Sequence, residues 1–247
     1  MKAEIRRRII AINHQFYQRL AAPFSSSRGR LQPGVQKVLS SLAAEADVLD
    51  LGCGNGGVAQ ELARRGHRGR YLGVDSSAEL LQDARSGLEG FNVEGFRFRF
   101  VMADLTGPLI QQSELSNQKF PWIFAFAVLH HIPSRELRLG FLGQVRGLLA
   151  PGGRFVLSNW QFMNSPRLRT RVQPWSTIDI EEAEVEVGDY LLDWRSGGSG
   201  LRYVHHFDEA ELGRLAAEAG FMVTDSFFSD GKGNNLALYQ TWVTDQS

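Results

Sequence analysis

Apolar residues recur at helical spacing at the start of the chain. Ile5, Ile9, Ile12, Phe16 and Leu20 predict an amphipathic helix over 5–20 that Pro23 stops. Val35, Val38, Leu39 and Leu42 predict a second helix. From there the pattern alternates. ADVLDL (46–51) reads as a buried strand, followed by a glycine-rich turn and a helix ending near Gly66. YLGVD (71–75) is a second strand, and Leu80, Leu81, Ala84 and Leu88 mark the helix after it. FRFRFV (96–101) alternates Phe and Arg at period two, so it predicts a strand with one wet face or at a sheet edge. WIFAFAV (122–128) is a continuous apolar run, the signature of a strand covered on both faces. A helix through Leu137, Phe141, Leu142, Val145 and Leu148 ends before Pro151-Gly152-Gly153, and RFVLSN (154–159) is the fifth strand. This order predicts an α/β fold with a largely parallel sheet and right-handed crossovers.

The alternation breaks at residues 160–206, a polar stretch dotted with Trp and Tyr and carrying a flexible SGGSG at 196–200. An unstructured connection of that length is uncommon in a compact domain unless it is functional. The pattern resumes where Asp208-x-x-Glu211 reads as a capping box opening a helix that Gly220 closes. FMVTDSFF and LALYQTWV are then two final strands. The expected organisation is a helical cap over 1–44, a core over 45–159, an insertion or lid over 160–206, and a closing helix and two strands over 207–247.

Composition narrows the classes without choosing among them. The 247 residues are 43% hydrophobic and 22% charged, as in ordinary globular proteins. One cysteine excludes an internal disulfide framework and a cysteine-rich zinc module. No apolar run reaches the roughly 18 residues of a membrane span, and the N-terminus lacks the apolar core of a secretory signal. A cytoplasmic location is the expectation. The formal net charge of +0 argues against a uniformly basic nucleic-acid binder. That zero is an average of unlike parts. Residues 1–40 hold eight basic side chains and one acid, whereas six acids fall between Asp179 and Asp189.

The sharpest chemical feature is Asp50-Leu51-Gly52-Cys53-Gly54-Asn55-Gly56-Gly57, directly after the first strand. Glycines there let the backbone turn tightly and approach a ligand, and the next helix offers free N–H groups. Gly52, Gly54 and Gly57 also satisfy the dinucleotide pattern G-x-G-x-x-G. Asp75, ending the second strand, can accept both hydroxyl hydrogens of a ribose, which suits a nicotinamide or an S-adenosylmethionine (SAM) enzyme alike. Asp104, after the third strand, has no role in the dinucleotide fingerprint and suits an adenine amino group.

Taken together, D-L-G-C-G-N-G, Asp75, Asp104, Ala127-Val128-Leu129-His130-His131 and L-L-A-P-G-G resemble, in order, the motifs of class I SAM-dependent methyltransferases. The resemblance implies a Rossmann-like seven-stranded sheet, mostly parallel with an antiparallel last strand and helices on both faces. It implies SAM as cofactor. Asp50, Gly52 and Gly54 would hold the methionine part, Asp75 the ribose and Asp104 the adenine. Asn55, Ser76 and Leu105 belong to the same set, and Ala127 and His130 would line the cofactor's open side.

The ends of the chain resemble a narrower group, the tRNA wobble-uridine carboxymethyl methyltransferases. Phe16-Tyr17-x-x-Leu20-Ala21-x-Pro23-Phe24-Ser25-x-Ser27-Arg28 is similar to that family's Y-N-x-I-A-x-H-F-S-x-T-R. Gly188-Asp189-Tyr190-Leu191-Leu192-Asp193-Trp194 and Arg202-Tyr203-Val204-His205-His206-Phe207 stand where the family has G-D-x-x-x-P-W and R-Y-Y-H-x-[FY]. The implied reaction is esterification of 5-carboxymethyluridine. A carboxylate is already ionised near neutral pH, so alignment and charge placement would carry the rate. Arg28, Arg202 and His205 are the candidates for gripping the anion; an ion pair or an ordinary packed histidine is the plain alternative.

His130 and His131 invite a metal or base role. No carboxylate pair accompanies them at ligand spacing, so one is expected to line the site, the other to pack, and no metal is expected. Cys53 sits in the cofactor loop as a packing group, which disfavours uracil C5 chemistry. The basic N-terminal face and Arg64, Arg65, Arg68 and Arg70 read either as solvated helix faces or as a phosphate-tracking patch for tRNA. Two other functions stay open: a small-molecule methyltransferase with 160–206 as its lid, and a SAM-binding RNA partner without turnover. The related eukaryotic enzymes work with a small activating subunit, and nothing in these residues marks its docking surface.

Overall fold

The computed structural model describes residues 1–19, 30–91, 93–109, 114–195 and 198–244. Leu20, Pro23, Arg28 and the first two residues of SGGSG lie outside them. The main sheet has seven strands. These are β1 (Val48–Leu51), β2 (Arg70–Asp75), β3 (Arg97–Met102), β4 (Phe120–Phe126), β5 (Leu149–Trp160), β9 (Phe221–Ser229) and β10 (Ala237–Thr244). Their order is β3-β2-β1-β4-β5-β10-β9. Strands β1 to β5 pair in parallel, and β10 runs antiparallel to both neighbours. The seven-stranded class I sheet expected from the motifs is present.

Sequence pattern explains the placements. The Phe/Arg alternation of β3 falls on an outer edge, as its wet face requires. Strand β4 sits in the middle, with Ile123, Phe124 and Ala125 all at 0% exposure. Strand β5 starts at Leu149 rather than Arg154, because Leu149 pairs with Phe120 ahead of a register shift. Helices cover both faces. On one face lie α5 (Arg135–Leu148) and α7 (Glu209–Glu218), burying Phe141, Leu142, Val145, Leu212 and Leu215. On the other lie α2 (Pro33–Ser40), α3 (Gly57–Arg64) and α4 (Ala78–Ser86), burying Val35, Val38, Ala59, Leu62 and Leu81. Asp208 caps α7 by accepting from the Glu211 N–H at 2.7 Å. Glu211 does not complete a capping box; its carboxylate goes instead to His205 Nε2 at 2.8 Å.

Residues 160–206, polar by composition, build a second sheet of β6 (Val172–Gln173), β7 (Asp189–Trp194) and β8 (Gly200–His205), ordered β6-β7-β8 and antiparallel. A four-residue helix, α6 (Pro166–Arg169), precedes it. Consecutive Leu191 and Leu192 are both buried because the small sheet is covered on both sides. Leu192 and Val204 meet Phe162 and Leu168. Leu191 and Tyr203 meet Ile5 and Ile9 of α1 (Ala3–Arg19), with Trp175 and Ile180 beside them. Burying two isoleucines of α1 this way is worth about 1.5–3 kcal/mol each.

Electrostatics reinforces that contact. Lys2 lies 3.6 Å from Glu184, and Arg8 donates to the carbonyls of Ile178 and Asp179. Part of the basic excess of the N-terminus is therefore turned onto the acidic 179–189 segment. Among the described residues, no helix is long and apolar enough to cross a membrane.

Candidate active site

The turn after β1 is held open by backbone geometry. Gly52, Gly54 and Gly56 have φ of +76°, +54° and +75°, the left-handed region that glycine enters without strain. A Cβ on Gly52 would stand 2.3 Å from Val128, and one on Gly56 would stand 2.7 Å from Ala84. Gly57 needs no such freedom. The positive-φ positions therefore follow G-x-G-x-G, which separates this turn from the dinucleotide pattern that Gly57 also completes.

One cavity of about 1320 Å³, its open mouth included, runs along the C-terminal ends of β1, β2 and β4. Asp50, Gly52, Gly54, Asn55, Asp75, Ser76, Asp104, Leu105 and Ala127 all line it. Asp50 is 2% exposed and accepts from the Tyr71 hydroxyl at 2.6 Å. Burial pushes its carboxyl up to about 7, against the opposing Tyr71 hydrogen bond. Asp75 accepts from the N–H groups of Gly54 and Ser77, both at 2.9 Å, so the glycine loop and the cap of α4 fix its orientation. Burial raises its carboxyl above the usual range, partly countered by those amides. Ala127 holds φ +57° at the end of β4, anchored through its N–H to Ser158. Strain of that kind in a non-glycine residue is maintained by its surroundings and gathers at ligand sites.

Asp104 carries a partner absent from the motif reading. His14 of α1 approaches it at 3.5 Å, and Thr106 donates to it through both N–H and hydroxyl. The His14 hydrogen bond lowers the Asp104 carboxyl to about 2, and Asp104 in turn raises His14. Replacing His14 by Ala is expected to return Asp104 toward 3.8, read by carbon NMR of the carboxyl.

The acceptor side departs from expectation. His130 does not line the cavity. It is 1% exposed, and its Nδ1 accepts from the Trp160 N–H at 3.3 Å. His131 takes the lining position: the chain leaves β4 through a tight 129–131 turn that buries the His130 ring and sets the His131 ring on the cavity, with the two centroids 4.3 Å apart. His131 Nδ1 lies 3.0 Å from the Tyr203 carbonyl and its Nε2 lies 2.8 Å from the Tyr17 hydroxyl. Asn13, one turn before Tyr17, donates to the His131 and Tyr203 carbonyls and accepts from the Tyr203 N–H at 2.8 Å. Asn13 and His14 are site residues that the motifs did not contain; Tyr17 stood in the N-terminal motif without a role, and of the His130–His131 pair, one of which was expected to line the site, it is His131 that does. A polar Asn in line with Ile5 and Ile9 was the available signal.

The proposed anion grip is not assembled among the described residues. Arg202 is 6% exposed, with its guanidinium over the rings of Trp160, Phe16 and Trp194 at 4.5, 5.4 and 5.5 Å. Such cation–π contacts hold a cation within the protein rather than presenting it. His205 bridges Asp189 Oδ1 at 2.6 Å and Glu211, outside the cavity. Arg28 lies outside the described residues. Among the described residues, Arg30 is the arginine that lines the cavity. The second basic cluster is also paired: Arg64 and Arg65 with Glu61, Arg68 with Glu45, and Arg70 with Asp47. Burial lifts the Cys53 thiol far from a reactive thiolate, in keeping with a packing role.

Glu186, Asp189 and His205 bring ligand-type atoms within 4.8 Å of one another. The Arg138 guanidinium is bound to Glu186 and reaches the Tyr203 hydroxyl, which donates to Asp189. A built-in cation already occupies that network.

The parallel sheet with its single antiparallel strand, and the glycine loop followed by acids at the ends of β1, β2 and beyond β3, define a class I methyltransferase. The chain belongs to the methyltransferase-domain family, whose profile matches residues 17–226. The tRNA (carboxymethyluridine(34)-5-O)-methyltransferase of Schizosaccharomyces pombe is 25% identical over 225 residues, covering 84% of this chain and 87% of that protein. The 2-heptyl-1-hydroxyquinolin-4(1H)-one methyltransferase of Mycobacteroides abscessus is 29% identical over 212 residues, covering 78% and 85%. A SAM-dependent methyltransferase structure from Methanosarcina mazei superimposes with a TM-score of 0.65 at 22% identity, covering 87% of this chain and 98% of that one. The lining fits SAM: three acids, Asp50, Asp75 and Asp104, line one cavity around a loop in which a Cβ on Gly52 or Gly56 would collide with Val128 or Ala84.

Proposed function

We propose that the chain transfers a methyl group from SAM to an oxygen of a small, ring-bearing acceptor. The observation that carries this reading is that one cavity holds both halves of the site. Asp50, Asp75 and Asp104 lie along the strand ends, and Tyr17, His131 and Asn13 face them from α1 and the 129–131 turn. Asp75 takes the ribose hydroxyls, Asp104 the adenine amino group and Asp50 the methionine ammonium. Tyr17 and His131 border the acceptor. Relatives named for a hydroxyquinolinone and for a carboxymethyluridine support a heterocyclic acceptor carrying an oxygen nucleophile.

A small acceptor is preferred over tRNA because several of the basic residues expected to track phosphates are engaged within the chain. Arg6 lies 2.5 Å from Glu136, Arg8 is bound to carbonyls, and Arg64, Arg65 and Arg70 have carboxylate partners. The wobble-uridine reading remains the second, favoured by a relative of that name matching 84% of the chain.

Tritiated SAM, incubated with undermodified tRNA in parallel with a hydroxyquinolinone and an aryl carboxylic acid, separates them. Label in a small acceptor, with tRNA binding weak and insensitive to salt, is the expected result. Label in tRNA, with affinity falling steeply as salt rises, would establish the second reading instead.

A further inference from the structure

The contacts of His131 fix which of its nitrogens can take a proton. Nδ1 faces the Tyr203 carbonyl at 3.0 Å. A carbonyl oxygen only accepts, so Nδ1 carries hydrogen. In the neutral ring Nε2 is then a lone pair, and the Tyr17 hydroxyl 2.8 Å away donates to it. The ring is oriented by a partner 72 residues away in sequence, and that partner is itself held. Tyr203 donates its N–H to Asn13 Oδ1, and Asn13 Nδ2 reaches back to the carbonyls of both Tyr203 and His131. Tyr17 and Asn13 lie one turn apart on α1, so a single helix face sets the hydroxyl and the clamp together. Tyr17, His131 and Asn13 line the same cavity as the cofactor acids.

From this geometry we infer that Tyr17 and His131 form a proton relay serving an acceptor that arrives as a neutral hydroxyl. The inference rests on the methyltransferase reading above and narrows its substrate class. The acceptor O–H gives its proton to the Tyr17 oxygen while the Tyr17 hydroxyl proton passes to His131 Nε2. The freed oxygen pair forms the bond to the methyl carbon, and the carbon–sulfur bond breaks with its electron pair returning to sulfur. The sulfonium becomes a neutral thioether, and the charge it loses appears on His131 as imidazolium. That imidazolium keeps its Nδ1–H on the Tyr203 carbonyl and later releases the Nε2 proton to solvent. A carboxylate acceptor would need none of this, because it has no proton to lose near neutral pH.

Two measurements test the relay, the first without turnover. In protein labelled with nitrogen-15 histidine and saturated with the demethylated cofactor, His131 should show protonated Nδ1 and unprotonated Nε2 near neutral pH. Tyr17→Phe should shift the Nε2 resonance. The opposite tautomer, or an Nε2 signal indifferent to Tyr17→Phe, would overturn the inference. The second uses 2-heptyl-1-hydroxyquinolin-4(1H)-one against undermodified tRNA as acceptor. For the hydroxy compound, His131→Gln should lower kcat about 100-fold or more, the ordinary span of general-base catalysis, and remove the acidic limb of the pH profile, where protonation of the ring now stops the reaction. SAM affinity should be unchanged. Undiminished kcat in that variant, or turnover confined to the carboxymethyl acceptor, sinks the relay. Loss of SAM binding in the wild-type protein would sink the methyltransferase reading instead, so the two failures are distinguishable.

Discussion

Asp75→Ala is expected to lower SAM affinity by roughly 100-fold to 10,000-fold, measured by calorimetry. Two hydroxyls of a ribose bonding to one ionised carboxylate are worth about 1.5–3 kcal/mol each, and each 1.4 kcal/mol is about a factor of ten. The substitution also leaves the Gly54 and Ser77 N–H groups without the acceptor that now holds them at 2.9 Å. The loop should loosen as well as lose its ligand contact. Asp75→Asn separates the two effects, since a carboxamide oxygen can still accept one N–H while the charge is gone. Because burial raises the Asp75 carboxyl, SAM affinity should fall as the pH is lowered through that raised value. It should do so at a higher pH than an ordinary exposed aspartate would show. Unchanged affinity in Asp75→Ala would remove the ribose assignment.

Much of this site could be read from sequence because its signals are local. A strand, a glycine turn and an acid at the next strand end are contiguous, and steric rules fix what each does. Gly52 tolerates no side chain beside Val128, which follows β4, the parallel neighbour of β1. Legibility ends where the deciding partner is distant. Whether His130 or His131 faces the cavity depends on a tight turn and on the Tyr203 carbonyl, neither encoded in the LHH triplet.

Arg202 and His205 illustrate a second limit. Both stand in a motif whose resemblance implied contact with an acceptor. Here one is enclosed by Trp160, Trp194 and Phe16 and the other by Asp189 and Glu211. Charge runs mislead for a related reason. The basic start and the acidic 179–189 stretch look like two solvated surfaces until folding brings Lys2 to Glu184.

His205→Leu is expected to destabilise the fold by about 3–5 kcal/mol near pH 6, as removing one partner of a buried ion pair does. His205 is 1% exposed and bonds Asp189 through Nδ1 and Glu211 through Nε2. A neutral imidazole could donate from only one nitrogen; two carboxylate partners call for the doubly protonated ring. Burial alone would lower the pKa of this histidine, but the hydrogen bonds to Asp189 and Glu211 outweigh it and the folded value is raised above 6.5. Its stabilising contribution is therefore fully present below the unfolded pKa near 6.5 and is lost as the pH climbs through the raised folded value. Urea denaturation of wild type and His205→Leu across that range should show the gap largest at the acidic end and narrowing with rising pH. SAM affinity should stay the same, because His205 lies outside the cavity. Equal stability of the two proteins at pH 6, with methyl transfer selectively lost, would instead restore His205 to the acceptor site.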